Sequence, residues 1–116
     1  MKFLEFVKSF SFSSSYSDGE KICAANYRFE IAVKYPFEAS EEKLAQIIQK
    51  EIISKVHTRH LDECVDLFQG MRIDEYAILN VFWEKLSRPL SGFVVRRLTL
   101  HRDTTTSLSF YPGASS

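Results

Sequence analysis

Ile22-Cys23-Ala24-Ala25-Asn26-Tyr27-Arg28-Phe29-Glu30-Ile31-Ala32-Val33-Lys34-Tyr35 is the stretch that decides the fold. From Tyr27 on, Tyr27, Phe29, Ile31, Val33 and Tyr35 share one parity, while Arg28, Glu30, Ala32 and Lys34 share the other. Side chains on an extended chain point alternately to opposite faces, so this pattern predicts a strand with one apolar face. Pro36 ends it, because proline has no N–H for a ladder bond.

Upstream, Leu4, Phe6, Phe10 and Phe12 also fall on one parity between Lys2 and about Tyr16, which predicts a first strand. Ser17-Asp18-Gly19-Glu20 lies between the two as a turn, with Gly19 free to take positive φ. Downstream, Ser40 is placed to N-cap a helix whose first turn carries Glu41 and Glu42. Leu44, Ile47, Ile48, Ile52 and Val56 recur at helical spacing. A second helix is expected from about Asp74, presenting Ala77, Ile78, Val81, Phe82 and Leu86 and stopping near Ser87-Arg88-Pro89. After Gly92 alternation resumes through Val94, Arg96, Leu98 and Leu100, and a short strand, Ser107 to Tyr111, follows the Asp103-Thr104-Thr105-Thr106 turn. The order strand, strand, helix, helix, strand, strand predicts an α+β domain: an antiparallel four-stranded sheet with two helices on one face.

The 116 residues make one domain, 1–116, with 112–116 expected to fray. Fifteen basic and fifteen acidic residues cancel, so no net field favours nucleic acid or an anionic membrane. Ten phenylalanines call for a large packed aromatic surface. Phe3-Leu4-Glu5-Phe6-Val7 is too short and too charged for a signal or membrane segment, which makes the cytoplasm and reduced Cys23 and Cys64 the expectation. No glycine-rich phosphate loop, recognisable Ser-His-Asp signature or nucleic-acid motif is read from the linear sequence.

Five segments, in order, resemble motifs of the 6-pyruvoyl-tetrahydropterin synthase and 6-carboxy-tetrahydropterin synthase family. Phe12-Ser13-Ser14-Ser15-Tyr16 resembles Phe-x-Ala-Ala-His, and Cys23-Ala24-Ala25-Asn26-Tyr27 resembles His-Gly-His-Asn-Tyr. Val56-His57-Thr58-Arg59-His60-Leu61-Asp62 resembles Leu-Asp-His-x-x-Leu-Asn, and Ile73-Asp74-Glu75-Tyr76-Ala77 loosely matches Pro-Thr-x-Glu-Asn-x-Ala. Leu98-Thr99-Leu100-His101-Arg102-Asp103 is similar to the Val-x-Val-x-Glu-Thr strand end. The resemblance implies the tunnelling fold, a barrel-forming homo-oligomer that is often a hexamer, and a ligand pocket at a subunit interface.

It also implies a chemistry whose residues are replaced here. Tyr16, Cys23 and Ala25 stand where the family has three zinc-binding histidines, and Ala25 offers no donor at all. His57 and Thr58 stand at the catalytic Asp and His, and Arg102 at the glutamate that anchors the pterin. A two-residue shift would align Cys23 with the family's nucleophile-like Cys, at the expense of the Asn26-Tyr27 match. The expectation is therefore no metal and no cofactor. One substitute set is conceivable: on a helix, His57, His60 and Cys64 would share a face. Arg96 and Arg97, as strand neighbours, point to opposite faces and read as solvated or interface groups.

The function expected is a pterin-synthase-like protein without zinc-dependent lyase activity. It would bind a pterin- or purine-like ring through Tyr16, Tyr27, Glu75, Arg102 and Asp103. The alternatives are a lyase with a remodelled site using Cys23, His57 and Asp103, or a non-catalytic subunit of a hetero-oligomer. Neither nucleic acid nor membrane is an expected partner.

Overall fold

A computed structural model describes residues 4–63, 65–68 and 72–113. Two fifteen-residue strands, β1 (Leu4–Asp18) and β2 (Lys21–Tyr35), form one antiparallel hairpin in continuous register from Leu4↔Tyr35 to Asp18↔Lys21. Fifteen extended residues reach about 50 Å, so this hairpin accounts for the 50 Å long axis of the molecule. Gly19, at φ 65°, supplies the left-handed residue that reverses the chain.

The sheet order is β3-β1-β2-β4-β5, with β4 (Val95–His101) and β5 (Ser107–Phe110) antiparallel as expected. The fifth strand, β3 (Arg59–His60), is not foreseen by the sequence pattern. It runs parallel to β1 with Ser14↔Arg59 and Ser15↔His60 as partners. Two residues carry no readable alternation, and only the tertiary path brings them to the β1 edge.

Both helix starts are where the capping residues place them. The Ser40 side chain accepts from the Lys43 N–H ahead of α1 (Glu41–Ile48), and Asp74 accepts from Ala77 N–H at the start of α4 (Glu75–Leu86). After α1 the chain widens into a π-helical turn, Gln49–Ile53, then closes as α2 (Ser54–Val56). The apolar spacing explains the widening. Leu44, Ile48, Ile52 and Val56 are four apart, and four residues overshoot one α-helical turn by about 40°. A wider turn keeps all four on the core side, where each is fully buried. A 3₁₀ turn (Leu61–Glu63) and α3 (Val65–Phe68) precede α4.

The core lies between the helices and the Phe12, Tyr27, Phe29, Ile31, Leu98, Leu100 face of the sheet. Phe82 of α4 is its centre, meeting the Phe29 ring edge-on at 5.1 Å and the Phe12 ring at 5.7 Å. Trp83 is half-buried against Phe110. One parity expectation fails. The β2–β4 register passes from Ala32↔Arg97 directly to Val33↔Val95, a bulge that flips the strand. Val95, not Val94, therefore packs against the core, and Val94 is exposed. Of the expected fraying tail, Pro112 and Gly113 form a turn, and 114–116 lie outside the described residues.

Candidate functional site

The β1–β2 register sets Tyr16 directly opposite Cys23 and Ser14 opposite Ala25. Tyr16, Cys23, Ala25 and Tyr27 share the helix-facing side of the hairpin, because they alternate with the outward Ser15, Ala24 and Asn26. The Tyr16 phenol lies close enough to the Tyr27 phenol and to the Cys23 thiol for the three to influence one another electrostatically. Tyr16 and Tyr27 are 8% and 3% exposed. Burial first, then the charges of Cys23 and Glu75 near Tyr16 and of Tyr16 and Glu75 near Tyr27, raise both phenols above the ordinary tyrosine value.

This set does not fit zinc. A metal ligand must be deprotonated, and the surroundings hold the Tyr16 phenol neutral. Ala25 carries no donor, which leaves Cys23 as the one good ligand of the three. No group of three His, Cys, Asp or Glu side chains able to hold a metal occurs among the described residues. The substitute set also loses its helix. Helix α2 ends at Val56, His57 is already extended (φ −65°, ψ 129°), and His60 belongs to β3. Cys64 lies outside the described residues.

Glu75 and Arg102, both expected to hold ligand, are paired with one another: Arg102 Nη1 donates to Glu75 Oε1 at 3.0 Å. Arg102 thereby ties the end of β4 to the first turn of α4. Its other side lines a cavity of about 400 Å³ together with Tyr27, Arg28, His57, His101 and Asp103. So four of the residues singled out from sequence, Tyr27, His57, Arg102 and Asp103, meet in one cavity. Tyr16, Cys23 and Glu75 do not line it.

Within that cavity His57 Nδ1 accepts the Ser13 N–H at 3.1 Å, which fixes the ring against the β1 edge. Asp103 Oδ1 accepts from the Thr105 N–H, the Thr105 hydroxyl and the Thr106 N–H, each at 2.8 Å. Those bonds, the Thr105 N–H foremost, hold its carboxyl below the usual aspartate range. With Oδ1 held by the turn, Oδ2 lies 3.9 Å from Arg102 Nε.

Two polar clusters went unread in the sequence. Beside the cavity, Arg97 Nη1 donates to Glu30 Oε2 at 2.7 Å and to Thr99 Oγ1 at 2.8 Å. Thr99 is buried and meets Ser109 Oγ at 2.9 Å, and His101 Nε2 lies 3.5 Å from Glu30 Oε1 outside hydrogen-bonding geometry. Arg97 is thus a half-buried structural cation rather than a solvated one. The second cluster is at the other edge: Ser15 Oγ is 2.8 Å from His60 Nδ1, and His60 Nε2 is 3.3 Å from Asp62 Oδ1. The outward row of serines on β1 is visible in sequence, but their partner arrives only through the parallel β1–β3 bridge.

No known family's sequence profile matches the chain, and no curated protein matches it. Solved structures do. The 6-pyruvoyl tetrahydropterin synthase of Caenorhabditis elegans superposes with a TM-score of 0.72 at 15% identity, over 97% of this chain and 98% of that one. The Plasmodium vivax synthase gives a TM-score of 0.58 at 10% identity over 95% and 98%, and the Plasmodium falciparum synthase 0.52 at 14% over 94% and 98%. With identities this low the likeness concerns the fold, and it extends from one end of the chain to the other. The chain has the α+β tunnelling fold of the 6-pyruvoyl tetrahydropterin synthases.

Proposed function

We propose that this protein is a pterin-synthase-like binding protein of the cytoplasm that works without the zinc-dependent lyase chemistry. The observation that carries the reading is the occupation of the three metal positions. A buried, neutral Tyr16 packed beside Tyr27 and Cys23 stands there with Ala25, and this set fills space instead of ligating. The pterin-anchoring carboxylate is likewise replaced, by an arginine already neutralised by Glu75.

The ligand is a pterin- or purine-like ring, and its place is the cavity of Tyr27, His57, His101, Arg102 and Asp103. The Asp103 Oδ2 and His57 supply polar edges for ring nitrogens, and a cavity of about 400 Å³ is within the usual range for a small heterocycle. The chain associates with itself through the edges of its sheet, which would bury strand edges that are otherwise open. Self-association as a hexamer follows the tunnelling fold.

The test is elemental analysis of tag-free protein, paired with fluorescence titration of biopterin, neopterin and guanosine and with a turnover assay on dihydroneopterin triphosphate. Less than a tenth of an equivalent of zinc, saturable binding of one of these rings and no turnover are expected. Zinc near one per chain, or turnover, overturns the reading in favour of a remodelled lyase.

A further inference from the structure

The register of the parallel bridge makes a second site that the pterin-synthase likeness does not supply. Because Ser15 and His60 are partners across β1 and β3, their side chains emerge on the same side of the sheet. Ser15 Oγ lies 2.8 Å from His60 Nδ1. Two residues further on, Asp62 Oδ1 lies 3.3 Å from His60 Nε2, and Ser17 Oγ is also 3.3 Å from that nitrogen. The carboxylate does not swing freely, since its Oδ1 accepts the Ser17 N–H at 2.8 Å. Hydroxyl, imidazole and carboxylate therefore run in sequence, with the carboxylate held by backbone.

That order has a chemical consequence. In the tautomer that carries its proton on Nε2, the nitrogen beside Asp62 and Ser17, the Nδ1 lone pair faces Ser15. The ring nitrogens exchange places relative to the serine-protease arrangement, but the roles are preserved. The hydroxyl also has somewhere to act. Ser15 and His60 line an open cavity of about 610 Å³ whose wall includes Ala24, Ala25, Asn26 and Arg59. Ala24, on the same outward face as its cross-strand partner Ser15, leaves room for a small apolar group. Asn26 Oδ1 accepts from Ser13 Oγ, which turns its amide N–H groups toward other acceptors.

We propose that Ser15 and His60, with Asp62 as a positioning residue, form a nucleophilic site that hydrolyses small-acyl carboxylic esters. Ser15 Oγ forms a bond to the acyl carbon while its proton passes to His60 Nδ1. The bond from that carbon to the alcohol oxygen breaks, and the leaving oxygen takes the proton from His60. Water then repeats the sequence on the acyl-serine, with His60 accepting its proton and returning it to Ser15 as the acid departs. The Asn26 amide, on the same outward face of the hairpin as Ser15, is the donor available to the carbonyl oxygen in such a complex.

The experiment uses the full chain and two probes, an alkyl fluorophosphonate read by intact mass and peptide mapping, and p-nitrophenyl acetate read by p-nitrophenol release. One phosphonyl adduct per chain on Ser15 is expected. His60→Gln should slow its formation by at least ~100-fold, the usual weight of a general base. Asp62→Asn should lower kcat for the acetate ester by roughly tenfold or more and leave KM unchanged, a split that loss of structure alone would not give. Ser15→Cys keeps the size and position of the nucleophile, so it should accumulate one acetyl group per chain even if Ser15→Ala folds poorly. A folded wild-type chain that gains no adduct on Ser15, or an adduct rate unaltered by His60→Gln, overturns the proposal.

Discussion

Tyr16 and Cys23 are cross-strand partners three residues from the Gly19-Glu20 turn, side by side on the buried face of the hairpin. Direct partners hold their Cβ atoms ~5 Å apart, and a residue two further along the same face is ~7 Å away. Tyr16, Cys23 and Ala25 thus lie at mutual spacings a three-ligand site could use, while Ala25 supplies no donor and the Tyr16 phenol stays neutral.

The combined substitution Tyr16→His, Cys23→His and Ala25→His is accordingly expected to create metal binding. Zinc should rise from under a tenth of an equivalent to about one per chain, measured by elemental analysis after dialysis against a weak chelator. Removing the Tyr16 ring from the core would cost the metal-free variant about 1.5–3 kcal/mol, so its unfolding midpoint should fall without zinc and recover with it. A folded triple variant that binds no zinc would mean that the strand positions are not those of a metal site.

How far the sequence could be read depended on the range of the interaction involved. Strand β2 and both N-caps are set by neighbours within four residues, and Ser40 and Asp74 cap where expected. The bulge opposite Ala32 and Val33 could not be read, because Val94, Arg96, Leu98 and Leu100 alternate without a break while the backbone does not. The π-helical turn left a trace in the four-residue spacing of Leu44, Ile48, Ile52 and Val56, but that spacing also suits an α-helix. Candidate site residues were legible one by one. Their pairings were not: Glu75 with Arg102, Glu30 with Arg97 and Ser15 with His60 are each set by tertiary packing between distant segments.

Thr58 has φ 58° at the joint between α2 and β3, a left-handed conformation that costs an L-residue about 1–2 kcal/mol, and the β-branch aggravates it. Its N–H donates to Ser13 O at 2.6 Å, so the backbone is held there. Thr58→Gly relieves the strain and gives back roughly 0.4–1 kcal/mol through the freer unfolded chain. A net gain of about 0.5–1 kcal/mol is expected in urea unfolding. Thr58→Ile, which keeps the branch and loses the hydroxyl bond to His57 O, should be less stable than the parent.

Glu30 tests the polar cluster. Burial opposes its ionisation, but the Arg97 hydrogen bond and the charges of Arg97, His101 and Arg28 outweigh burial and hold its carboxyl below the usual glutamate value. A lowered folded-state value means stability present above the unfolded value of about 4.3 and lost as the pH falls through the folded one. The thermal midpoint of the wild type should therefore drop between about pH 5 and pH 3 more steeply than that of Glu30→Gln. At pH 7 the same variant should be less stable by about 1–3 kcal/mol, since Arg97 loses a charged acceptor in a half-buried setting. Equal slopes for both proteins would remove Glu30 from the cluster's energetics.

The two buried tyrosines make the opposite prediction at alkaline pH. Tyr16 and Tyr27 are both raised, by burial first and by neighbouring acidic groups second. Groups whose folded value exceeds the unfolded one contribute stability that is intact below about pH 10 and is lost as the pH rises through the folded value. Of the chain's five tyrosines, these two should therefore ionise last in a titration followed at the phenolate absorbance. Unfolding should become progressively easier above about pH 10. Tyr27→Phe removes a raised phenol while keeping the ring that stacks on Phe12 at 5.3 Å, so its alkaline loss of stability should be shallower than the parent's. A phenolate titration in which all tyrosines of the native protein ionise together near pH 10 would show that Tyr16 and Tyr27 are not buried as a pair, and would reopen the metal positions to solvent.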